Sequence, residues 1–196
     1  MRIIECQQGS PEWYQAKCGI PSSSEFDKII TTKGEPSKQR EKYLFRLAGE
    51  TITGISEESY QNEAMLRGKE MEAEARELYH LITGKKVQEV GFCLAEGYGA
   101  SPDGLVAKTG CLEIKCPNLA TQVGYLLENK LPMDYWQQVQ GQLLVTGREW
   151  VDFLSYFPRL KPLIVRVKRD KKFLELLEAE LKKFCVELKE VVKKIK

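Results

Sequence analysis

The chain has 196 residues, 42% hydrophobic and 30% charged, with 30 Lys plus Arg against 28 Asp plus Glu. These proportions belong to a globular chain long enough to bury a core, and they exclude collagen-like, low-complexity and intrinsically disordered readings. No stretch approaches the roughly 20 apolar residues of a membrane span, and Met1-Arg2-Ile3-Ile4-Glu5-Cys6 has no apolar signal region, so a cytoplasmic protein with no membrane partner is expected.

Ser10-Pro11-Glu12-Trp13 puts a capping residue before a proline at the first helical position, predicting a short helix to about Lys17 that Gly19 ends. Ser22-Ser23-Ser24-Glu25 offers a second cap ahead of Phe26, Ile29 and Ile30. Residues 31–37 read as a loop, a helix is predicted from about Ser37 to Thr51, and a polar connection follows over 54–60. Residues 61–83 form the strongest helical stretch: Ala64, Met65, Met71, Ala75, Leu78, Tyr79 and Ile82 recur at helical spacing, and Gly84 closes it. Strand-like runs come next at 86–95, about 103–107 and 111–116, with turns at Glu96-Gly97-Tyr98-Gly99 and Lys108-Thr109-Gly110. Helices are predicted at about 119–129 and 133–146, then strands from Val151 to Phe157 and Leu163 to Lys168. The last helix starts at about Lys171. Its apolar positions Leu174, Leu177, Leu181, Phe184, Leu188, Val191 and Ile195 alternate by three and four. Packing on the protein's own sheet is expected for this seam, with a subunit contact as the alternative.

This order implies an α/β fold, a central mixed β-sheet flanked by helices. One domain is expected over 1–196, with N-terminal helices at 10–51, a core at 61–168 and a C-terminal helix at 171–196. Charge is uneven along it. Residues 159–196 carry 13 basic and 6 acidic side chains, against 17 and 22 in residues 1–158. A basic segment beside an acidic body suits an anion surface near a carboxylate-rich site, although solvated helices give the same count. The six cysteines form no Cys-x-x-Cys pair and read as reduced, mostly buried thiols. His80 is the only histidine and lies in a helical pattern, which removes His-based triads and His-rich zinc sites.

The chemistry concentrates in Ser101-Pro102-Asp103-Gly104 and Cys111-Leu112-Glu113-Ile114-Lys115-Cys116. On a strand, Leu112, Ile114 and Cys116 face the core and Glu113 and Lys115 the other way. The tight turn before them folds Asp103 back beside Glu113. Two carboxylates and an ammonium suit a hard divalent cation and an anionic substrate. A glycosidase also uses two carboxylates, but a lysine two residues from one of them fits phosphate better.

Pro102-Asp103 with Glu113-Ile114-Lys115 resembles the PD-(D/E)xK nuclease motif. Three further stretches extend the likeness: Trp13 to Glu25, Gly68-Lys69-Glu70-Met71-Glu72-Ala73-Glu74-Ala75-Arg76, and Tyr135-Trp136-Gln137-Gln138-Val139-Gln140. In this order they resemble the YqaJ-like viral recombinase, or phage lambda exonuclease, family. The resemblance implies a restriction-endonuclease-like core and a 5′→3′ exonuclease on double-stranded DNA ends, leaving 3′ overhangs for recombination by strand annealing. It implies Asp103, Glu113, the Ile114 carbonyl and Glu72 as ligands of Mg2+ or Mn2+, two ions per site. Lys115 would be the catalytic lysine and Gln138 the residue that places the attacking water. Ser24 and Lys17 would bind the 5′-phosphate, with Lys17 where the family carries an arginine, a point charge in place of a two-pronged contact. Without the resemblance, Glu72 and Gln138 would read as solvated helix faces, and Trp13, Tyr135 and Trp136 as packing. Lys33, Lys38, Arg40 and Lys42 are candidates to track the DNA backbone. A homotrimeric ring and a phage single-strand annealing protein are the implied partners. The alternatives are another PD-(D/E)xK endonuclease, a RecB-like nuclease, or a non-catalytic protein that binds DNA ends.

Overall fold

The computed structural model describes residues 1–57 and 63–196. Residues 58–62, where the expected polar connection meets the expected start of the helix at 61, lie outside them. The chain runs through β1 (Arg2–Ile4), α1 (Pro11–Lys17), a 3-10 helix (Ser23–Lys28), α2 (Arg40–Thr53) and α3 (Glu63–Thr83). Five short strands follow: β2 (Val87–Gln88), β3 (Phe92–Leu94), β4 (Gly99–Ala100), β5 (Gly104–Val106) and β6 (Gly110–Lys115). Then come α4 (Leu119–Glu128), a 3-10 turn (Met133–Tyr135), α5 (Trp136–Thr146), β7 (Trp150–Ser155), β8 (Leu163–Lys168) and α6 (Lys171–Ile195).

The main sheet has the order β2-β5-β6-β7-β8. Its neighbours are antiparallel except β6 and β7, which are parallel because α4 and α5 occupy the crossover between them. A smaller antiparallel sheet has the order β1-β3-β4. The strand expected at 86–95 is therefore two strands in two sheets. The chain changes sheets at Gly91, where a Cβ would lie 2.5 Å from the carbonyl oxygens of both Ile4 and Cys6. β1 and β4 are additions to the expected set, and Gly99, expected in a turn, opens β4.

Both faces of the main sheet are covered, so β6 and β7 are buried along most of their length. On β6, Leu112 and Ile114 face α3 and join Ala75, Tyr79, Leu154 and Tyr156. Cys111 faces the other side, in the larger core with Val151, Phe153, Val167 and residues of α2, α5 and α6. The predicted alternation on β6 is thus present, but the face that carries Glu113 lies under α5. On the α3 face the Asp152 carboxylate is buried, taking two hydrogen bonds of 2.7 Å from Arg166 and one of 2.7 Å from the Tyr79 hydroxyl.

The α6 seam is buried from Leu174 to Leu188, whereas Ile195 is 62% exposed. Its main partners are α2 and α5, not the sheet directly. Tyr43 stacks on Phe184 at 5.5 Å, Trp136 lies 5.7 Å from Phe173, and Arg40 of α2 bridges to Glu187. Arg40, a candidate to track a DNA backbone, thus pairs with a carboxylate of α6.

Candidate active site

The β5–β6 hairpin builds the centre of the site. Its strands pair Gly104 with Leu112 and Val106 with Gly110, leaving a three-residue turn in which Ala107 takes φ +50°. Arg148, just after α5, holds this turn by donating to the carbonyls of Ala107 at 3.0 Å and Gly110 at 2.8 Å. Asp103 stands immediately before β5, and its Oδ2 accepts the Ile114 N–H at 2.5 Å. That bond fixes the Asp103 carboxylate beside Glu113. Gln8 secures the approach to Asp103, donating to the carbonyls of Val90 and Pro102, each at 2.9 Å.

Glu113 is 2% exposed. Its Oε1 meets the Lys115 ammonium at 2.6 Å and accepts the Gln138 amide at 2.5 Å. Its Oε2 accepts the amide of Gln142, one turn further along α5. Lys115 also lies 5.1 Å from the Tyr135 ring centroid, so Tyr135 borders the site while packing on Phe153. The other glutamines of α5 dock the helix. Gln137 donates to the Ile30 carbonyl at 3.1 Å, and Gln140 donates to the Lys168 carbonyl at 2.9 Å and accepts the Asp170 N–H. At Gly141 an added Cβ would lie 2.5 Å from the Phe26 ring and 3.1 Å from the Ser23 Cβ, so glycine lets α5 sit against the 3-10 helix.

Glu72 completes the acidic set from α3. With Asp103 it lines a cavity of about 480 Å3 that Glu5, Arg76 and Glu89 also border. Burial, then the Glu113 and Glu72 charges, push the Asp103 carboxyl well above the usual carboxylate range. Burial alone would lower the Lys115 ammonium, but Glu113 and Asp103 outweigh it and hold it above its usual range. The Cys116 thiol is pushed up to about 12 by burial and then by Glu72 and Asp103, which leaves it an inert thiol. All six cysteines are free, as expected, but only Cys93 and Cys111 are buried and the other four are half-buried. Glu70 is exposed and Glu74 accepts the Tyr156 hydroxyl at 2.5 Å, and both line a different cavity from the one that Glu72 shares with Asp103.

The expected phosphate residues lie on neighbouring segments. The Trp13 indole donates to the Ser101 hydroxyl at 2.8 Å, two residues before Asp103. The buried Lys17 places its ammonium 4.0 Å from the centroid of that same ring. Ser24 is exposed in the first turn of the 3-10 helix, where Ser22 holds the cap position. The Pro21 carbonyl and Ser22 join β4 at Gly99, so this turn flanks the strand that leads to Asp103. Sequence reasoning missed Gln142. Its position four residues after Gln138 puts both on one helix face, and that was the available signal.

The model of the YqaJ-like viral recombinase domain matches residues 12–149. The chain belongs to the YqaJ-like viral recombinase family. Among solved structures, the alkaline exonuclease LHK-Exo from Laribacter hongkongensis is 35% identical, with a TM-score of 0.86 over 95% of this chain and 96% of that one. The same enzyme in complex with dAMP is 36% identical, with the same TM-score and coverage. A phage related exonuclease from Haemophilus somnus 129PT shares the fold at 12% identity, with a TM-score of 0.72 over 93% and 99% of the two chains. Comparison with the curated proteins gives no match. The YqaJ fold accounts for the mixed sheet and flanking helices expected from the sequence.

Among the described residues, no group of three or more His, Cys, Asp or Glu side chains converges into a metal cage. What the site offers is an open, all-oxygen face. Asp103 and Glu113 lie side by side, with Glu72 close enough to act on Asp103 and Lys115 as the cation among them. Oxygen donors, excess negative charge and an open side suit a hard divalent ion that keeps part of its water shell.

Proposed function

We propose that this protein is a metal-dependent exonuclease that degrades one strand of linear double-stranded DNA from its 5′ end and leaves a 3′ overhang. The observation that carries the reading is the half-buried Asp103 beside the buried Glu113, with Lys115 on Glu113, in a chain whose family and 35% identical relative are of the exonuclease kind. The lone histidine is exposed and bound to the Lys85 carbonyl, which leaves no Ser–His or Cys–His pair to act as nucleophile.

Asp103 and Glu113, with the Ile114 carbonyl and Glu72, would hold two Mg2+ or Mn2+ ions. When bound, such ions polarise the phosphoryl oxygens and acidify water. Lys115 supplies a fixed positive charge where negative charge develops on the scissile phosphate. Gln138 is the half-buried amide that reaches both Glu113 and the open side, and it orients the attacking water. Lys17 and Ser24 hold the terminal 5′-phosphate and so set which phosphodiester is cut. The reading extends to a homotrimeric ring, a single-strand annealing partner and a role in phage-type recombination within the host cytoplasm, and membership of the family supports it. Among the described residues no helix is long and apolar enough to cross a membrane.

The test is digestion of duplex DNA labelled at its 5′ or 3′ ends, with and without 5′-phosphate, beside a covalently closed circle, in Mg2+ or in chelator. Metal-dependent loss from 5′-phosphorylated ends with the circle spared is the expected result. Cutting of the circle would replace this reading with an endonuclease, and end binding without cleavage would replace it with a non-catalytic role.

A further inference from the structure

Glu113 is gripped from both sides. Oε1 faces the two groups that can reach substrate: Lys115, with 28% of its side chain exposed, and the half-buried Gln138. Oε2 faces Gln142, which is fully buried and reaches nothing in the open cleft. A carboxylate at the end of two rotatable bonds has a terminal torsion that is broad. Only a second, independent contact fixes its plane. Gln142 supplies that contact from a helix locked at both edges by Gln137 and Gln140. The Oε1 of Gln142 is itself buried with no hydrogen-bond partner. A buried amide carbonyl without a partner is costly, so the carbonyl half of Gln142 contributes nothing to the fold. The Nε2 donor is the part of the residue that the site uses.

We propose that Gln142 is a positioning residue for metal binding: it commits Oε2 of Glu113 to the protein and fixes the plane in which Oε1 is presented to a divalent ion. Gln138 and Gln142 thus divide one carboxylate between two tasks. Gln138 is free to leave Oε1 for the attacking water, and Gln142 stays. Outer contacts of this kind change metal affinity by about 10–100-fold when removed. This inference rests on the metal-dependent reading above.

The experiment is calorimetric titration of Mn2+ into the metal-free protein, without DNA, for wild type and Gln142→Met, with Gln142→Leu as a second variant of similar volume. Whichever variant retains the wild-type circular dichroism spectrum is used. Both variants leave the buried Oε2 of Glu113 without its donor while also removing an already unsatisfied carbonyl, so urea unfolding beside the circular dichroism spectrum separates lost stability from lost metal affinity. The expected result is Mn2+ binding by wild type and at least about 10-fold weaker binding by the variant. In a parallel assay the Mg2+ concentration for half-maximal DNA digestion rises by a similar factor, and turnover recovers to within a few-fold at saturating Mg2+. Equal Mn2+ affinity overturns the inference and leaves the metal-dependent reading standing. Turnover that stays depressed at every Mg2+ concentration also overturns it, because a merely structural role predicts that. If wild type binds no divalent ion and digests DNA in chelator, the metal-dependent reading fails and this inference with it.

Discussion

Lys115 stands 2.6 Å from a carboxylate that also holds two amide donors. Removing the ammonium therefore does not strip Glu113 of partners, and Lys115→Ala should keep the native circular dichroism spectrum. Digestion of linear DNA should fall at least about 100-fold, the scale of losing one donor aimed at developing charge; wild-type rates in a gel assay would refute the role. Lys17 is of a different kind. Its ammonium lies over the Trp13 ring, and the ring is tied to Ser101. Lys17→Ala should leave cleavage of 5′-hydroxyl ends nearly unchanged and abolish any advantage of 5′-phosphorylated ends, measured as the ratio of the two rates. Asp103, Glu113 and Lys115 could be found in the sequence because strand alternation and a short turn are local rules. Gln142 was harder to see. Its partner lies on a strand nearly thirty positions away, and the one local sign that sets it apart from Gln140, which docks the helix, is its place one turn after Gln138.

At the scale of elements, α5 is the piece on which the site depends, and its placement turns on Gly141. A methyl there would meet the Phe26 ring and Ser23 of the 3-10 helix. Gly141→Ala should destabilise by about 1–3 kcal/mol through overpacking, read from denaturant unfolding, and should lower activity further by moving Gln138 and Gln142 off Glu113. An unchanged unfolding midpoint would show that the two helices have room to part. The long helices and the β7–β8 pair were readable from periodicity, and β8 runs over the expected Leu163–Lys168. The small sheet was not. β1, β3 and β4 are two or three residues each, too short to show a period, and their pairing is set by contacts between Arg2–Ile4 and residues ninety positions later. The seam of α6 was clear, but periodicity does not say what covers it; α2 and α5 do.

At the scale of the whole molecule, an acid-sensitive contribution to stability sits on the face opposite the site. Burial alone would raise the Asp152 carboxyl, but Arg166 and Tyr79 outweigh it and hold it below the usual carboxylate range. A group depressed in the folded state stabilises above its unfolded pKa of about 4, and that contribution is lost as pH falls through the folded value. Arg166→Met removes the depression. The variant should be less stable by about 1–3 kcal/mol at neutral pH, given that Arg166 is partly solvated. Its deficit should shrink as pH falls from about 5 toward 2. Urea unfolding at several pH values checks this, and a deficit independent of pH would assign the effect to lost packing.

The crossover between β6 and β7 has a consequence for when activity can arise. Glu113 belongs to β6, its amide donors belong to α5, the second helix of the crossover, and the parallel register of β6 requires β7 beyond that helix. A nascent chain can close the β5–β6 hairpin early, because that contact is local, but α5 is seated only after a long loop has closed. On the function proposed above, cleavage is expected only once the chain has been synthesised past Ser155, and a truncated product that carries both acids and the lysine but ends before α5 should leave DNA intact.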